Sequence, residues 1–221
     1  MRDVGGAGRD GHCFGRGEAV DCAAMKTRKA KVERKTRETD ILLELDVDGS
    51  GKSNIETGIP FFNHMLELFS RHSMMDVTVK ANGDLDVDYH HTVEDVGLVL
   101  GQALDEALGD RVGISRYGSC LLPMDEALSE VAVDLGGRPY LVYSVACRKK
   151  KIRDFDVFLV KHFFESLAQK ARMNLHIHQR YGEDVHHAYE SMFKGVARAL
   201  YVACCRDPRV KGVLSSKGRI G

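Results

Sequence analysis

The sequence lacks the features that mark several classes of protein. Its 32 basic and 32 acidic residues cancel, so no net charge favours nucleic acid or an anionic membrane as a partner. No uninterrupted apolar run approaches the roughly 20 residues of a membrane-spanning helix. The six cysteines show no CxxC or CxxH spacing, which argues against a zinc finger and a disulfide scaffold. We therefore expect a cytoplasmic protein with no nucleic-acid or membrane partner.

The first residues also lack the signals of a targeting peptide. Residues 1–24 are rich in glycine, have no apolar stretch and contain four acidic side chains, which argues against secretory and transit peptides. We expect a disordered extension over residues 1–26, with Met25 as a candidate initiator.

Deleting residues 1–24 should leave turnover and thermal stability close to those of the full chain. The segment has no apolar periodicity with which to pack against a core. Calorimetry and initial rates on both proteins test this expectation. A large loss of either property would show that the segment contributes to the fold.

From Thr27 onward the chain reads as two copies of one unit. Strands are predicted at 30–37, 40–51 and 76–84 in the first half and at 127–136, 139–147 and 173–180 in the second. Helices are predicted at 60–75 and 156–172, and from each of two double histidines. We expect an α+β fold of two β-β-α-β-α half-domains, residues 27–114 and 115–221. Each half would form a sheet with helices on one face, so that the helices pack between two outer sheets.

The double histidines carry the chemical signal. DYHHTVEDVGLVLGQAL at 88–104 is matched by DVHHAYESMFKGVARAL at 184–200, and a histidine recurs on the helix before each of them. A lone histidine on a helix is more often a capping or hydrogen-bonding residue than a metal ligand. Packing alone, however, gives no reason to duplicate six histidines and two glutamates. The repeat therefore favours metal binding, whereas His12, His176 and His178 lie outside it and are expected to be ordinary residues.

Helix geometry separates the adjacent histidines. Residues three apart share a face, so His91 and Glu94 can chelate one ion, and so can His187 and Glu190. The histidine of the preceding helix is the natural third ligand in each half. The first histidine of each pair points away and needs a different metal, supplied by the other half or by another subunit. Two similar metal sites are predicted.

The chain resembles the imidazoleglycerol-phosphate dehydratase family of histidine biosynthesis. The resemblance runs from about Arg34 to Gly218 and includes RKTRETDI, DGSGKSNIETGIPFFNHML, DYHHTVEDVGLVLGQAL, GISRYGSCLLPMDEAL, DLGGRPYLV, HFFESLA, NLHI and YGEDVHHAYESMFKGVARAL. It implies a ribosomal protein S5 domain 2-like fold and the removal of water from D-erythro-imidazole-glycerol phosphate, giving imidazole-acetol phosphate. It also implies two Mn²⁺ ions per chain and a homo-oligomer of 24 subunits with sites between neighbours.

The resemblance further implies roles for individual residues. One metal would be held by His64, His91, Glu94 and His186, and the other by His162, His187, Glu190 and His90. Such a set leaves two positions of an octahedral ion for the substrate, near His64 and His90. The choice of manganese comes from the family alone, because histidine-rich sites bind zinc or nickel more tightly. The catalytic candidates are Glu38, His72, Glu94 and Glu190, of which Glu38 and His72 would also contact the substrate.

The phosphate group of the substrate requires fixed hydrogen-bond donors. The resemblance assigns this role to Arg116, Arg138, Ser215, Ser216 and Lys217, and arginine and lysine suit phosphate recognition. The family pattern changes at two places, where PSTKG reads LSSKG from Leu214 and DLSGRP has Gly136. These changes concern loop rigidity more than chemistry.

Two other functions would fit parts of the sequence. A structural or storage assembly clipped together by metal would need no phosphate-binding residues. A di-metal hydrolase would need both ions on one bridging water, whereas the two ligand sets here point apart. The enol/ketone absorbance of the dehydration product distinguishes both alternatives from a dehydratase.

Overall fold

The computed structural model describes residues 27–146 and 149–220 and contains the two expected halves. The first comprises β1 (Lys29–Lys35), β2 (Thr39–Asp46), β3 (Ser53–Glu56), α1 (Pro60–Ser73), β4 (Asp76–Gly83) and α2 (His90–Leu108). The second comprises β5 (Tyr117–Met124), β6 (Ala127–Asp134), β7 (Tyr140–Ser144), β8 (Lys151–Ile152), β9 (Phe155–Asp156), α3 (Leu159–Lys170), β10 (Asn174–Tyr181) and α4 (Val185–Cys204). The predicted boundary at 114/115 lies between α2 and β5. The predicted extension, 1–26, lies outside the described residues.

Each half contains a mixed four-stranded sheet. The strand orders are β1-β2-β4-β3 and β5-β6-β10-β7. In both sheets the last strand pairs in parallel with its neighbour and the remaining pairs are antiparallel. The same order and the same directions in both sheets are consistent with a duplicated unit.

The predicted β-β-α-β-α order was wrong in one respect, because each half has three strands before its first helix. The missed strands are β3 and β5. Strand β3 has four residues, of which only Ile55 is buried, so it is too short and polar to show alternation. Strand β5 ends in Pro123 and Met124, and proline weakens a strand prediction. Helix α3 also begins at Leu159 rather than at 156, because Phe155 and Asp156 form the small strand β9.

The four helices lie between the two sheets. Helix α2 packs on β1 and β2 and against α3, while α4 packs on β5 and β6 and against α1. Glycines allow the close approach of α2 and α3: a Cβ on Gly97 would lie 2.7 Å from the carbonyl oxygen of Phe163, and one on Gly101 would lie 2.6 Å from that of Leu167. The two halves therefore share one helical layer, and the predicted α+β layering is confirmed.

Short polar segments start the two long helices and place their histidines. The carboxylate of Asp184 accepts the backbone N–H groups of His186 at 2.7 Å and His187 at 3.3 Å, a typical N-cap. Asp88 accepts the N–H of His90 at 2.7 Å in the same way. Both double histidines therefore lie in a first helical turn. Across the described residues, the helices are all too short or too polar to span a membrane.

Candidate metal centres and anion pocket

One cluster of metal-binding side chains joins the two halves. His64 comes from α1, and His186 and Glu190 come from the first turns of α4. Oε2 of Glu190 lies 3.1 Å from Nε2 of His186 and 3.6 Å from Nε2 of His64. Within the described residues, the ligand atoms of these three side chains lie within 4.8 Å of one another. This is the spacing of a group that could close around a single ion.

The Glu190 carboxylate is ionised although it is buried. Burial raises its pKa, but the hydrogen bond from Lys194 and the nearby imidazoles of His64 and His186 outweigh that effect, so the pKa lies below its ordinary value. Nζ of Lys194 is 2.5 Å from Oε1. Oε2 therefore faces the imidazoles as an anionic oxygen ligand.

A second, more open cluster has the same composition. Nε2 of His90 lies 3.3 Å from Oε2 of Glu94, and the rings of His90 and His162 have centroids 4.8 Å apart. Glu94 and His162 also line one cleft of about 570 Å³. The duplication is thus visible in space as two imidazole–imidazole–carboxylate sets.

The structure corrects the expected pairing of histidines with glutamates. Glu94 contacts His90 rather than His91, and Glu190 contacts His186 rather than His187. The reason is helical: at 3.6 residues per turn, a residue four positions away lies slightly closer in angle than one three positions away. The expected meeting of His64 with His186, and that of His162 with His90, is observed.

The second histidine of each pair lies outside these clusters. Nδ1 of His91 lies 3.0 Å from an oxygen of Asp84, and its Nε2 lies 3.8 Å from Oε2 of Glu38. The contact with Asp84 raises the pKa of His91. Glu38, the candidate acid/base group, is therefore a neighbour of His91 rather than of a cluster.

His187 has an equivalent environment in the second half. Its Nδ1 lies 2.8 Å from Oε2 of Glu126, and its Nε2 lies 3.7 Å from Oδ2 of Asp125. The contact with Glu126 raises the pKa of His187. Sequence reasoning missed Asp84, Asp125 and Glu126. The glutamate that directly precedes β2 and β6, Glu38 or Glu126, was the available signal, because both halves have one at this position.

The five residues expected to bind phosphate line one cavity. It has a volume of about 780 Å³ and lies between the start of β5, the loop before β7 and the segment 210–220. Its lining includes Arg116, Arg138, Ser215, Ser216 and Lys217. Two further cationic side chains, Lys211 and Arg219, also line it. Such a concentration of cationic and hydroxyl donors is suited to an anion.

Comparison with known proteins decides the family. The family model for imidazoleglycerol-phosphate dehydratase matches residues 57–200. The dehydratase of Geobacter metallireducens is 54% identical over 194 residues, which cover 88% of this chain and 100% of that protein. The chain belongs to the imidazoleglycerol-phosphate dehydratase family. It is accordingly a hydro-lyase of histidine biosynthesis, and both motif clusters belong to that enzyme class.

Solved dehydratases have the same fold. The structure from Staphylococcus aureus matches with a TM-score of 0.74 and 37% identity, covering 81% of this chain and 99% of that chain. The structure from Pyrococcus furiosus in complex with (S)-C348 matches with a TM-score of 0.74 and 38% identity, covering 86% of this chain and 100% of the other. The match at family-level identity supports the two-layer arrangement described above.

Arg116 is held firmly at the edge of this dehydratase's anion pocket. Its Nε and Nη2 donate to the two oxygens of Asp134 at 2.6 and 3.0 Å, and its Nη1 donates to the carbonyl of Leu214 at 2.6 Å. The hydrogen bond to Asp134 raises its pKa. A Cβ on Gly136 would lie 2.8 Å from Nη2 of Arg116, so glycine at this departure from the family pattern leaves room for the guanidinium.

His72, the second acid/base candidate, lies near the end of α1. Its carbonyl accepts a hydrogen bond from Arg198 at 3.3 Å. Burial and the charges of Lys194 and Arg198 lower its pKa, so its imidazole is neutral near physiological pH. It lies two helical turns, about 12 Å, along α1 from His64.

Proposed function

We propose that this dehydratase converts D-erythro-imidazole-glycerol phosphate to imidazole-acetol phosphate and water, with two Mn²⁺ ions per chain. The observation that carries the proposal is the cluster of His64, His186 and Glu190, in which both halves contribute to one ligand set. Its open counterpart at His90, Glu94 and His162 supports a count of two.

The side chains present suit a divalent transition metal. Each set offers two imidazole nitrogens and one carboxylate oxygen, a combination that first-row metals accept. The buried, anionic Glu190 supplies charge to one set, and the more exposed Glu94 supplies it to the other. When bound, such a metal acts as a Lewis acid that makes the substrate imidazole easier to deprotonate and so favours loss of the neighbouring hydroxyl.

The remaining residues would bind the substrate and move protons. The C–H bond that breaks has no carbonyl beside it, so a positioned acid/base group is required. Glu38 is our candidate, because its carboxylate lies at the outward face of His91. Arg138, Lys217 and the hydroxyls of Ser215 and Ser216 would bind the phosphate, while Arg116 shapes the pocket wall.

Within one chain the metal cluster and the anion pocket are far apart. The cluster lies at the start of α4, whereas Arg116 donates its backbone N–H to Ala203 near the end of that helix. From His186 to Ala203 the helix rises about 25 Å. A three-carbon chain between imidazole and phosphate cannot span that distance. We therefore infer that a complete site combines the metal cluster of one copy with the anion pocket of another, as a 24-subunit assembly would allow.

Removing metal should reduce both turnover and particle size. A chelator at mildly acidic pH protonates the imidazoles and releases metal, after which smaller species should appear in light scattering and the enol/ketone absorbance assay should show no turnover. Adding Mn²⁺ at neutral pH should restore both. Full turnover by protein shown to be free of metal would refute the proposed reaction, and an unchanged particle would refute metal-driven assembly.

Two inactive variants should complement each other if sites lie between copies. Glu190→Gln damages the metal cluster, and Lys217→Ala damages the anion pocket. Dissociated together and reassembled with Mn²⁺, a 1:1 mixture should recover up to roughly a quarter of wild-type turnover, because random pairing joins two intact partial sites at that frequency. Each variant reassembled alone is the control. Mixed assemblies that stay inactive would place the whole site within one chain.

A further inference from the structure

Glu126 lies in the turn between β5 and β6, against the start of α4. Its two oxygens have different partners. Oε1 accepts the backbone N–H groups of Asp184 at 2.7 Å and Glu183 at 3.2 Å, while Oε2 lies 2.8 Å from Nδ1 of His187. One carboxylate thus both fastens the turn to the helix start and contacts a histidine of the double-histidine motif.

The ionisation of Glu126 decides where the shared proton lies. The hydrogen bond with His187, together with the backbone contacts, lowers the pKa of Glu126 to about 2. An ionised carboxylate can only accept a hydrogen bond. The proton between Oε2 and Nδ1 therefore belongs to His187. A neutral imidazole has a single ring proton, so its Nε2 then has a free lone pair.

We propose that Glu126 is a positioning residue that holds His187 in the tautomer with its proton on Nδ1 and so reserves Nε2 for a metal ion. This inference rests on the metal binding proposed above. Nε2 faces Asp125, which is an exposed carboxylate, and not the His64 cluster of the same chain. The reserved lone pair is thus directed outward, where the metal cluster of a neighbouring copy can meet it.

The first half makes the same contact with a different element. Nδ1 of His91 lies 3.0 Å from Asp84, which follows β4, whereas Glu126 precedes β6. The glutamate at the position equivalent to Glu126, Glu38, lies instead near Nε2 of His91. The two contacts are therefore not copies of one duplicated turn. Their recurrence is explained by a shared requirement, because metal-binding histidines commonly donate their other ring N–H to a carboxylate.

Glu126→Gln separates the two roles of this side chain. If the amide oxygen keeps the backbone contacts of Oε1, the NH₂ group faces Nδ1 of His187 and can only donate to it. The ring proton must then move to Nε2, which removes the metal-binding lone pair while the turn stays fastened. Glu183→Gln is the matched control, because it removes the same charge from the same loop through an exposed side chain.

Two properties of these variants test the role. In Mn²⁺ titrations, Glu126→Gln should weaken the site to which His187 contributes by roughly 10- to 100-fold, the usual cost of losing an outer partner of a ligand. The melting temperature of the metal-free protein should stay near that of the wild type. Glu183→Gln should match the wild type in both. Equal Mn²⁺ affinity in the two variants would overturn the proposal.

The wild-type protein provides a test that does not depend on a variant folding. Metal-free protein labelled with ¹⁵N-histidine is measured by NMR at alkaline pH, and the signals of His187 are identified by their loss in His187→Gln. We expect a proton on Nδ1 and none on Nε2. A proton on Nε2 would refute the role of Glu126. Because no metal is present, this result is independent of whether the proposed metal-dependent reaction is correct.

Discussion

Replacing Glu190 with glutamine should lower Mn²⁺ affinity and turnover together. Glutamine keeps the size of the side chain but removes the anion that faces His64 and His186. We expect affinity to fall by about 100-fold or more, the upper end of the loss seen when even an outer partner of a ligand is removed. Because the loss acts through occupancy, excess Mn²⁺ should restore part of the turnover.

Glu67→Gln is the control for that substitution. Glu67 is an exposed glutamate on α1, one turn from His64, so its replacement changes the charge near the cluster without removing a ligand. Metal content measured by elemental analysis should be normal in Glu67→Gln and reduced in Glu190→Gln. The loss of its ionic partner also leaves Lys194 uncompensated, so melting temperatures are compared as well. Full metal content and full turnover in Glu190→Gln would refute the assigned role.

Arg116→Ala should lower kcat/KM while metal content stays normal. The arginine lies at the anion pocket, far along α4 from the metal cluster. Its loss removes a cation from the phosphate pocket and frees the segment that Nη1 fastens through the carbonyl of Leu214. We expect a decrease of roughly 100-fold, because a misplaced pocket wall loses orientation as well as charge.

Arg209→Ala is the matched control for Arg116→Ala. Arg209 is an exposed arginine just before the same segment and pairs with Asp207 at 2.7 Å. Its removal should leave kcat/KM unchanged. Asp134→Asn, which weakens the grip on the Arg116 guanidinium, should give an intermediate decrease. If Arg116→Ala emptied the metal sites, the separation between metal-binding and phosphate-binding residues would be wrong.

Much of the architecture follows from local patterns in the sequence. Alternating apolar residues predict most of the strands, and the recurring double histidines reveal the duplication. Strand β3 escaped detection because four mostly exposed residues have no periodicity of their own. The cationic and hydroxyl residues assigned from the family motifs do share one cavity, although they lie on separate segments from Arg116 to Lys217.

The sequence alone therefore determined which side chains are available for metal and phosphate and that each set occurs on a repeated frame. The tertiary structure decided how they are grouped. His64 meets His186 and Glu190 because α1 docks against α4 of the other half, and Glu126 reaches His187 because a β-turn folds over a helix start. Helical periodicity describes one element at a time, whereas these contacts depend on how the sheets and helices pack together, which no local pattern encodes.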